Sequence, residues 1–363
     1  MATTTPPGAV RAPRAAARTR RRIAGLVVAL VLLAVALLLS LAVGARPVAL
    51  VDVVQVLRSL LPGAGAGAGA AAPAGVEPAD VAAVLDLRLP RTAAALVAGA
   101  GLGVAGAVVQ AVTRNPLADP GILGVTAGSA FAVSIAVGFA GVTAASGWIW
   151  FSFVGAALAA VTVSLIGGAG RSGGSPARLT LSGIALGAVL SGITSSVVLA
   201  DPRRFDAVRA WEVGSLADRG WGPVATVAPF VVVGIVLALL VSRPLDAVAL
   251  GDDHASSVGV SVPLVRVAAL VVVTLLAGGA TAVVGPIAFL GLMVAHAARG
   301  VVGASQPWTI GLSALLGPVL LLLADVLGRV VAPPGELAAG LVTAAIGAPV
   351  LIVVARRLQG GAR

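Results

Sequence analysis

No cysteine, tyrosine or lysine occurs among the 363 residues, histidine occurs twice, and charged residues make up only 10%. Each shortage closes a class of function. Without cysteine there can be no disulfide, thiolate metal site or cysteine nucleophile. Without lysine there is no phosphate-binding loop of the form G-x-x-x-x-G-K-[ST], so this chain does not hydrolyse ATP by that device. His254 and His296 stand far apart with no clustered carboxylates, which argues against a resident metal. With so few acids, the residues of a membrane-embedded enzyme's catalytic cluster cannot be assembled either. A secondary transporter would be expected to carry mid-membrane carboxylates beside broken helices, and these too are missing.

What is present is apolar. Hydrophobic residues are 59% of the chain and mean hydropathy is +1.08, a balance that no soluble globular domain of this size shows. A lipid bilayer is the expected solvent. A helical crossing takes roughly 20 apolar residues, and apolar runs, most of them near that length, are predicted at 23–43, 92–112, 122–144, 150–166, 179–199, 224–241, 265–284, 287–298, 308–330 and 337–354. The reading is therefore an all-α, polytopic transmembrane domain of about ten helices over 23–356. A basic tail, 1–22, precedes it and a short tail, 357–363, follows. A removable signal peptide is the rival reading of the N-terminus, but the first apolar run is longer than the 7–15 residues of a signal core.

All 24 basic residues are Arg, and they sit mainly at the ends of apolar runs. A nucleic-acid surface would gather them on one face with aromatics between, so the net charge of +10 is read as membrane orientation and not as nucleic-acid binding. With the N-terminus in the cytoplasm, fifteen Arg fall in tails and inside loops and nine outside, which favours both termini inside a cytoplasmic membrane. The segment 46–89 then lies outside. Its stretch 62–78, with Gly63-Ala-Gly-Ala-Gly-Ala-Gly-Ala and Pro73 and Pro78, reads as a flexible Gly/Ala/Pro-rich insertion.

Glycines recur at small-xxx-small spacing within the runs, as at Gly99, Gly103 and Gly106 and at Gly183, Gly187 and Gly192, where they let helix backbones approach closely in lipid. The hairpin Arg114-Asn-Pro-Leu-Ala-Asp-Pro-Gly121 is expected to be rigid, with Asn115 and Asp119 as caps and Pro116 and Pro120 fixing the turn. In the loop 243–263, Asp252 and Asp253 suit the N-terminus of a short helix and Gly259 its end, with Leu250, His254 and Val258 at i, i+4, i+8. Phe205, Val208 and Trp211 have the spacing of a helix lying at the headgroups. Asp325 and Arg329 stand at i, i+4, where they can pair, and Gln110 is polar near the end of a span.

Taken together, Arg88-Leu-Pro-Arg91, the hairpin after Gln110, Ser182-Gly-Ile-Ala-Leu-Gly187, Gly214-Ser215-Leu216, Ala249-Leu-Gly-Asp-Asp-His-Ala-Ser-Ser-Val-Gly259, Gly285-Pro-Ile-Ala-Phe-Leu-Gly291, Asp325 with Arg329, and Glu336 leading to Gly347-Ala-Pro349 closely resemble the FecCD family of permeases in order and spacing. The chain departs from that family in reading Ala295 before His296 and Ala338 after Glu336 where proline is usual, and in the Gly/Ala insertion.

The resemblance implies a BtuC-like type II ABC importer permease fold, with spans two to five and seven to ten forming related inverted halves. It implies a second permease subunit, identical or paralogous, two ATP-binding subunits that use ATP-Mg, and an extracytoplasmic binding protein that delivers the cargo. No cofactor is implied for this chain. Ferric siderophore is the expected cargo, with haem, cobalamin or an oxyanion as alternatives and a passive channel as the rival of another class. By resemblance, Leu250, Gly251, Asp252, Asp253, His254, Val258 and Gly259 form the helix that couples to the ATPase. Ser175, Pro176 and Ala177 form the cytoplasmic gate, Phe205, Val208 and Trp211 belong to the outer gate helix, and Arg88, Arg91 and Arg329 dock the binding protein.

Overall fold

The computed structural model describes residues 12–44, 47–60, 73, 75–142, 145–168, 176–201, 206–333 and 335–360. These residues are helical almost throughout, because a backbone in lipid must satisfy its own hydrogen bonds. The first long helix is α1 (Ala12–Ala42), followed by the short α2 (Leu50–Ser59). A rod then runs from Pro78 to Val112 through α3 (Pro78–Ala82), a π-helical segment (Ala83–Arg88) and α4 (Leu89–Val112). A 3₁₀ turn (Pro120–Leu123) leads into α5 (Val125–Phe139), and α6 (Ala145–Gly168), α7 (Pro176–Ala200), the short α8 (Asp206–Glu212) and α9 (Trp221–Ala249) follow. After α10 (Asp252–Ser257) comes a second rod of α11 (Val262–Val273), a π segment (Thr274–Gly278) and α12 (Gly279–Val284), and the chain ends with α13 (Leu290–Val302), α14 (Gln306–Val331) and α15 (Ala339–Gly360).

Eight of these helices are long and apolar enough to cross a membrane, and α5 and α13 are shorter apolar helices. All ten fall on the ten apolar runs. At 1.5 Å per residue α5 and α13 reach only about 20 Å, short of the hydrocarbon thickness. Each is preceded by a proline-glycine break, Pro120-Gly121 before α5 and Gly285-Pro286 before α13. The two short helices are the second members of the two sets of four spans, and each first member carries a π-helical segment. A shared interruption at corresponding positions is the mark of repeated halves in transporter folds.

Ahead of the stretch read as an insertion, residues 50–59 form a helix that the sequence analysis did not predict. In α2, Val53 and Val56 are fully buried and pack with Leu41, Val48, Val76 and Val84 in a small satellite core. The rod from Pro78 to Val112 also begins well before the predicted start at 92. Pro90 lies inside this continuous rod, and the π-helical turn just ahead of it, where the Leu89 amide donates to the Val84 carbonyl, carries the chain past it without a break. The glycine-alanine repeat itself lies outside the described residues.

At the centre stands α4, buried along most of its length and packed against α9, α12, α13 and α14. Its small residues explain how so many helices reach it. A Cβ on Gly99 would lie 2.6 Å from Pro318 of α14, one on Gly103 2.5 Å from the Ser313 carbonyl, and one on Gly106 2.3 Å from the Gly291 carbonyl of α13. Gly106→Ala is therefore expected to push α4 and α13 apart and cost about 1–3 kcal/mol, seen as a lower thermal midpoint of the purified protein. Gly300→Ala is the matched control, because its Cβ would meet nothing within 4 Å; its midpoint should hold or rise, and equal falls in both variants would refute the close-packing account.

Candidate functional site

Most of the described candidate residues gather near the two ends of α4, which at 24 residues spans about 36 Å. At the C-terminal end, α9 stops at Ala249 and Gly251, with φ 128°, turns the chain into α10. Gly259, with φ 80°, reverses it again, and the Val260 amide donates to the Ala255 carbonyl at 2.9 Å. Ala255 is fully buried and pegs the short helix down. Asp252 and Asp253 occupy its first turn as the sequence predicts, while Leu250 and Val258 lie just outside its ends, as the caps of α9 and α10. Both are left bare, Leu250 at 73% and Val258 at 57% exposure, beside exposed Asp253 and His254.

One carboxylate ties this corner to two spans. Asp252 accepts from Arg114 at 2.9 Å through Oδ1 and from Arg266 of α11 at 2.8 Å through Oδ2. Arg114 comes from the hairpin after α4, where it adopts φ 50°. The hairpin is held as its sequence implies. Asn115 Oδ1 accepts from the Leu117 amide at 3.0 Å, and Asp119 Oδ1 accepts from the Gly121 amide at 3.0 Å to cap the 3₁₀ turn begun by Pro120. Burial pushes the Asp119 carboxyl up from its ordinary range, against the backbone hydrogen bonding of Gly121 and Leu292. Gln110 is buried and donates to the Ala118 carbonyl at 3.1 Å, and Arg299 of α13 donates to its Oε1. The polar span-end residue thus locks the hairpin to α4 and α13. Ala295 and His296 lie within an uninterrupted α13.

At the other end of α4, Arg88, Arg91 and Arg329 converge on a cavity of about 710 Å³, which Arg219, Asp86, Asp218 and Glu336 also line. Arg88 and Arg329 turn inward. Arg88 donates to the carbonyls of Leu41 and Ala42 at 2.6 and 2.9 Å, and Arg329 to those of Ser40 and Val43, both at 2.8 Å. The two guanidiniums cap the last turn of α1, where free carbonyls and the negative end of the helix dipole favour cations. Asp325 binds Arg329 one turn along α14 and also takes a forked pair of bonds from Arg91, the shortest at 2.7 Å. Arg91 reaches Glu336 as well, at 2.8 Å. Arg91 and Glu336 show 13% and 31% of their side chains to the cavity, whereas Asp325 and Arg329 show 2% each.

Beside this mouth, α8 buries Val208 and Trp211 against Val133 and Val137 of α5, Trp148 of α6 and Val198 of α7. The two residues face protein and not the headgroups expected from their spacing; Phe205 lies outside the described residues. Exposed Arg209 pairs loosely with Asp206 at 3.8 Å. Burial raises the Glu212 carboxyl above its ordinary range and lowers the Arg219 guanidinium. The turn after α8 is wedged between Gly285-Pro286 and the start of α15: the Gly340 amide donates to the Gly214 carbonyl at 2.8 Å, and a Cβ on Gly285 would lie 1.9 Å from the Trp211 carbonyl. Sequence reasoning missed this three-way contact, since Gly214, Gly285 and Gly340 are lone glycines far apart. Of the turn assigned to the cytoplasmic gate, Ser175 lies outside the described residues; α7 starts at Pro176, and the side chains of Pro176 and Ala177 are likewise outside them.

The sequence profile of the FecCD transport family matches residues 32–357. The chain belongs to the FecCD family. It is 47% identical over 285 residues to the ferric enterobactin transport system permease protein FepD of Escherichia coli, covering 78% of this chain and 85% of that one. It is 42% identical over 279 residues to the iron(3+)-hydroxamate import system permease protein FhuB of Bacillus subtilis, covering 76% and 72%. Among solved structures it resembles a protein described as a metal-chelate type ABC transporter in an inward-facing conformation, with a TM-score of 0.75 and 25% sequence identity, covering 92% of this chain and 99% of that one. The FecCD chain is thus an all-α, multi-pass permease of the inner membrane, not itself catalytic. Among the described residues, no group of three or more His, Cys, Asp or Glu could hold a metal ion.

Proposed function

We propose that this chain is the membrane-spanning subunit of an ATP-binding cassette importer whose cargo is an iron(III) chelate of the siderophore class. The observation that carries the proposal is the family match over 32–357 together with 47% identity to a ferric enterobactin permease. The geometry supports a division of labour along α4. The bare apolar pair Leu250 and Val258 beside α10 is the seat for an ATPase subunit, and the Asp252 ion pairs pass its movement to α11 and to the hairpin after α4. The charged cavity at the far end is where an extracytoplasmic binding protein docks. There Arg91 and Glu336 are presented to the partner, and Arg88 and Arg329 hold the rim in place from behind.

A second permease subunit, a copy or a paralogue, completes the pathway. Support comes from α7, where only 17% of the apolar window is buried and Ser191, Gly192, Ser195 and Ser196 are exposed among Leu181, Ile184, Val189 and Ile193. Small hydroxyl residues on an uncovered transmembrane face fit helix association and a polar passage better than lipid. Opening and closing would follow from different affinities of nucleotide and binding protein for the two end states. On this reading Ser175, Pro176 and Ala177 narrow the cytoplasmic exit, and Phe205, Val208 and Trp211 belong to the outer gate.

Cargo class is tested by uptake in a strain lacking its own siderophore permeases and supplied with this chain and its neighbouring transport genes. Radiolabelled ferric enterobactin, ferric hydroxamate, haem and cobalamin are offered in turn. Accumulation of a ferric siderophore above the level of the other cargoes is expected. Uptake of haem or cobalamin alone would overturn the cargo assignment and leave the importer reading standing.

A further inference from the structure

At the end of the bundle that holds α10, a crevice of about 290 Å³ opens between α1, the end of α13 and the start of α14. Its walls are Leu26, Val302, Pro307, Gly311 and Leu312, with Arg22 and Trp308 also lining it. Arg22 lies 5.5 Å from the centre of the Trp308 ring and donates to the Val302 carbonyl at 3.3 Å, and Arg21 donates to the Gly300 carbonyl. Both arginines are thereby held by the last carbonyls of α13, Arg22 in the crevice wall and Arg21 next to it in the chain. Arg18 and Arg20 stand exposed just before them in α1, and no acidic residue precedes Asp52 in the sequence. Beyond the crevice α1 continues as a bare apolar surface through Val27, Val31 and Val35.

The geometry points to a binding site for one anionic phospholipid, its phosphate at Arg21 and Arg22 and one acyl chain in the apolar crevice along α1. Charge complementarity selects the occupant: four arginines fall within five positions at the start of an apolar span, where polybasic segments attract anionic headgroups. The tryptophan adds an amphipathic ring of the kind that settles at the membrane boundary. An apolar slot joined to a cationic rim fits a lipid better than it fits a soluble anion, which has no use for the slot, or a second copy of this chain, whose matching edge would bring the same positive charge.

The test is native mass spectrometry of the purified chain released from neutral detergent, titrated with dioleoyl phosphatidylglycerol, with dioleoyl phosphatidylcholine and with inorganic phosphate. Retention of one phosphatidylglycerol is expected, with a preference over phosphatidylcholine of about fivefold for each arginine engaged. Gly311→Leu should abolish retention by filling the crevice; a Cβ there meets nothing within 4 Å, so the fold should tolerate it. Arg22→Gln should weaken retention about fivefold, and a single monodisperse peak in size exclusion checks that each variant is folded. Equal retention of the two lipids, undiminished retention in Gly311→Leu, binding of inorganic phosphate as strong as that of the lipid, or a dimer carrying no lipid would each overturn the assignment.

Discussion

Asp325→Ala is expected to lower the thermal midpoint of the purified protein by about 10 °C and to reduce its folded yield sharply. The carboxylate is 2% exposed and is shared by two guanidiniums, on Arg329 and Arg91. Removing one member of a buried charge group costs about 3–5 kcal/mol, because the partners stay buried without compensation. Here the partners are two like charges that would then face each other, with only the half-open Glu336 left to balance Arg91. The damage should spread to α1, since Arg329 holds the Ser40 and Val43 carbonyls from the position that Asp325 fixes. Asp325→Asn, which keeps the shape and one acceptor, should fall between the alanine variant and the parent. Glu336→Gln should change the midpoint little, as partly exposed ion pairs contribute at most about 1 kcal/mol. A midpoint for Asp325→Ala within about 2 °C of the parent would mean that the cluster does not hold this end of the bundle together.

Leu250→Asp and Val258→Asp are expected to leave folding intact and to cut ATP-driven transport at least tenfold. Both side chains are mostly exposed, so within this chain a charge there displaces no packing. At an interface with the ATPase it is different. Truncating a central apolar anchor typically costs about 2 kcal/mol or more, roughly 30-fold in affinity, and a carboxylate adds the cost of burying an unpaired charge. The experiment purifies each variant with its ATPase and measures complex formation by size exclusion and transport in vesicles. Unaltered midpoints with lost association place the coupling seat at this corner. Association and transport equal to the parent in both variants would remove α10 and its flanks from that role.

The ten apolar runs were legible because lipid demands about 20 apolar residues per crossing and internal hydrogen bonding, which leaves the sequence few alternatives. The hairpin from Arg114 to Gly121 was legible for a different reason: its caps and prolines act over two or three residues. The surface helix α2 was missed, although Val53, Val56 and Leu57 repeat at helical spacing, because it adjoins a low-complexity stretch and crosses no membrane. A run counted from the first unbroken apolar stretch at 92 left out the turns from Pro78 onward, since nothing local announces a π-helical turn.

The charged cluster was half legible. Spacing alone allowed the Asp325–Arg329 pair, but the reach of Arg91 to Asp325 crosses 234 positions, and the use of Arg88 and Arg329 as caps for α1 depends wholly on tertiary placement. Similarly, the spacing of Gly99, Gly103 and Gly106 showed that a helix would come close, without showing that α14 and α13 are the partners.

The claim that ATP hydrolysed by a partner drives a ferric chelate through this chain is tested most directly in proteoliposomes. The permease is reconstituted with its ATPase, the binding protein and ferric siderophore are supplied on one side, and ATP with magnesium on the other. Accumulation above the external concentration is expected, requiring both ATP and the binding protein and absent with a non-hydrolysable nucleotide. Equilibration without ATP, or accumulation driven by a proton or sodium gradient alone, would contradict it.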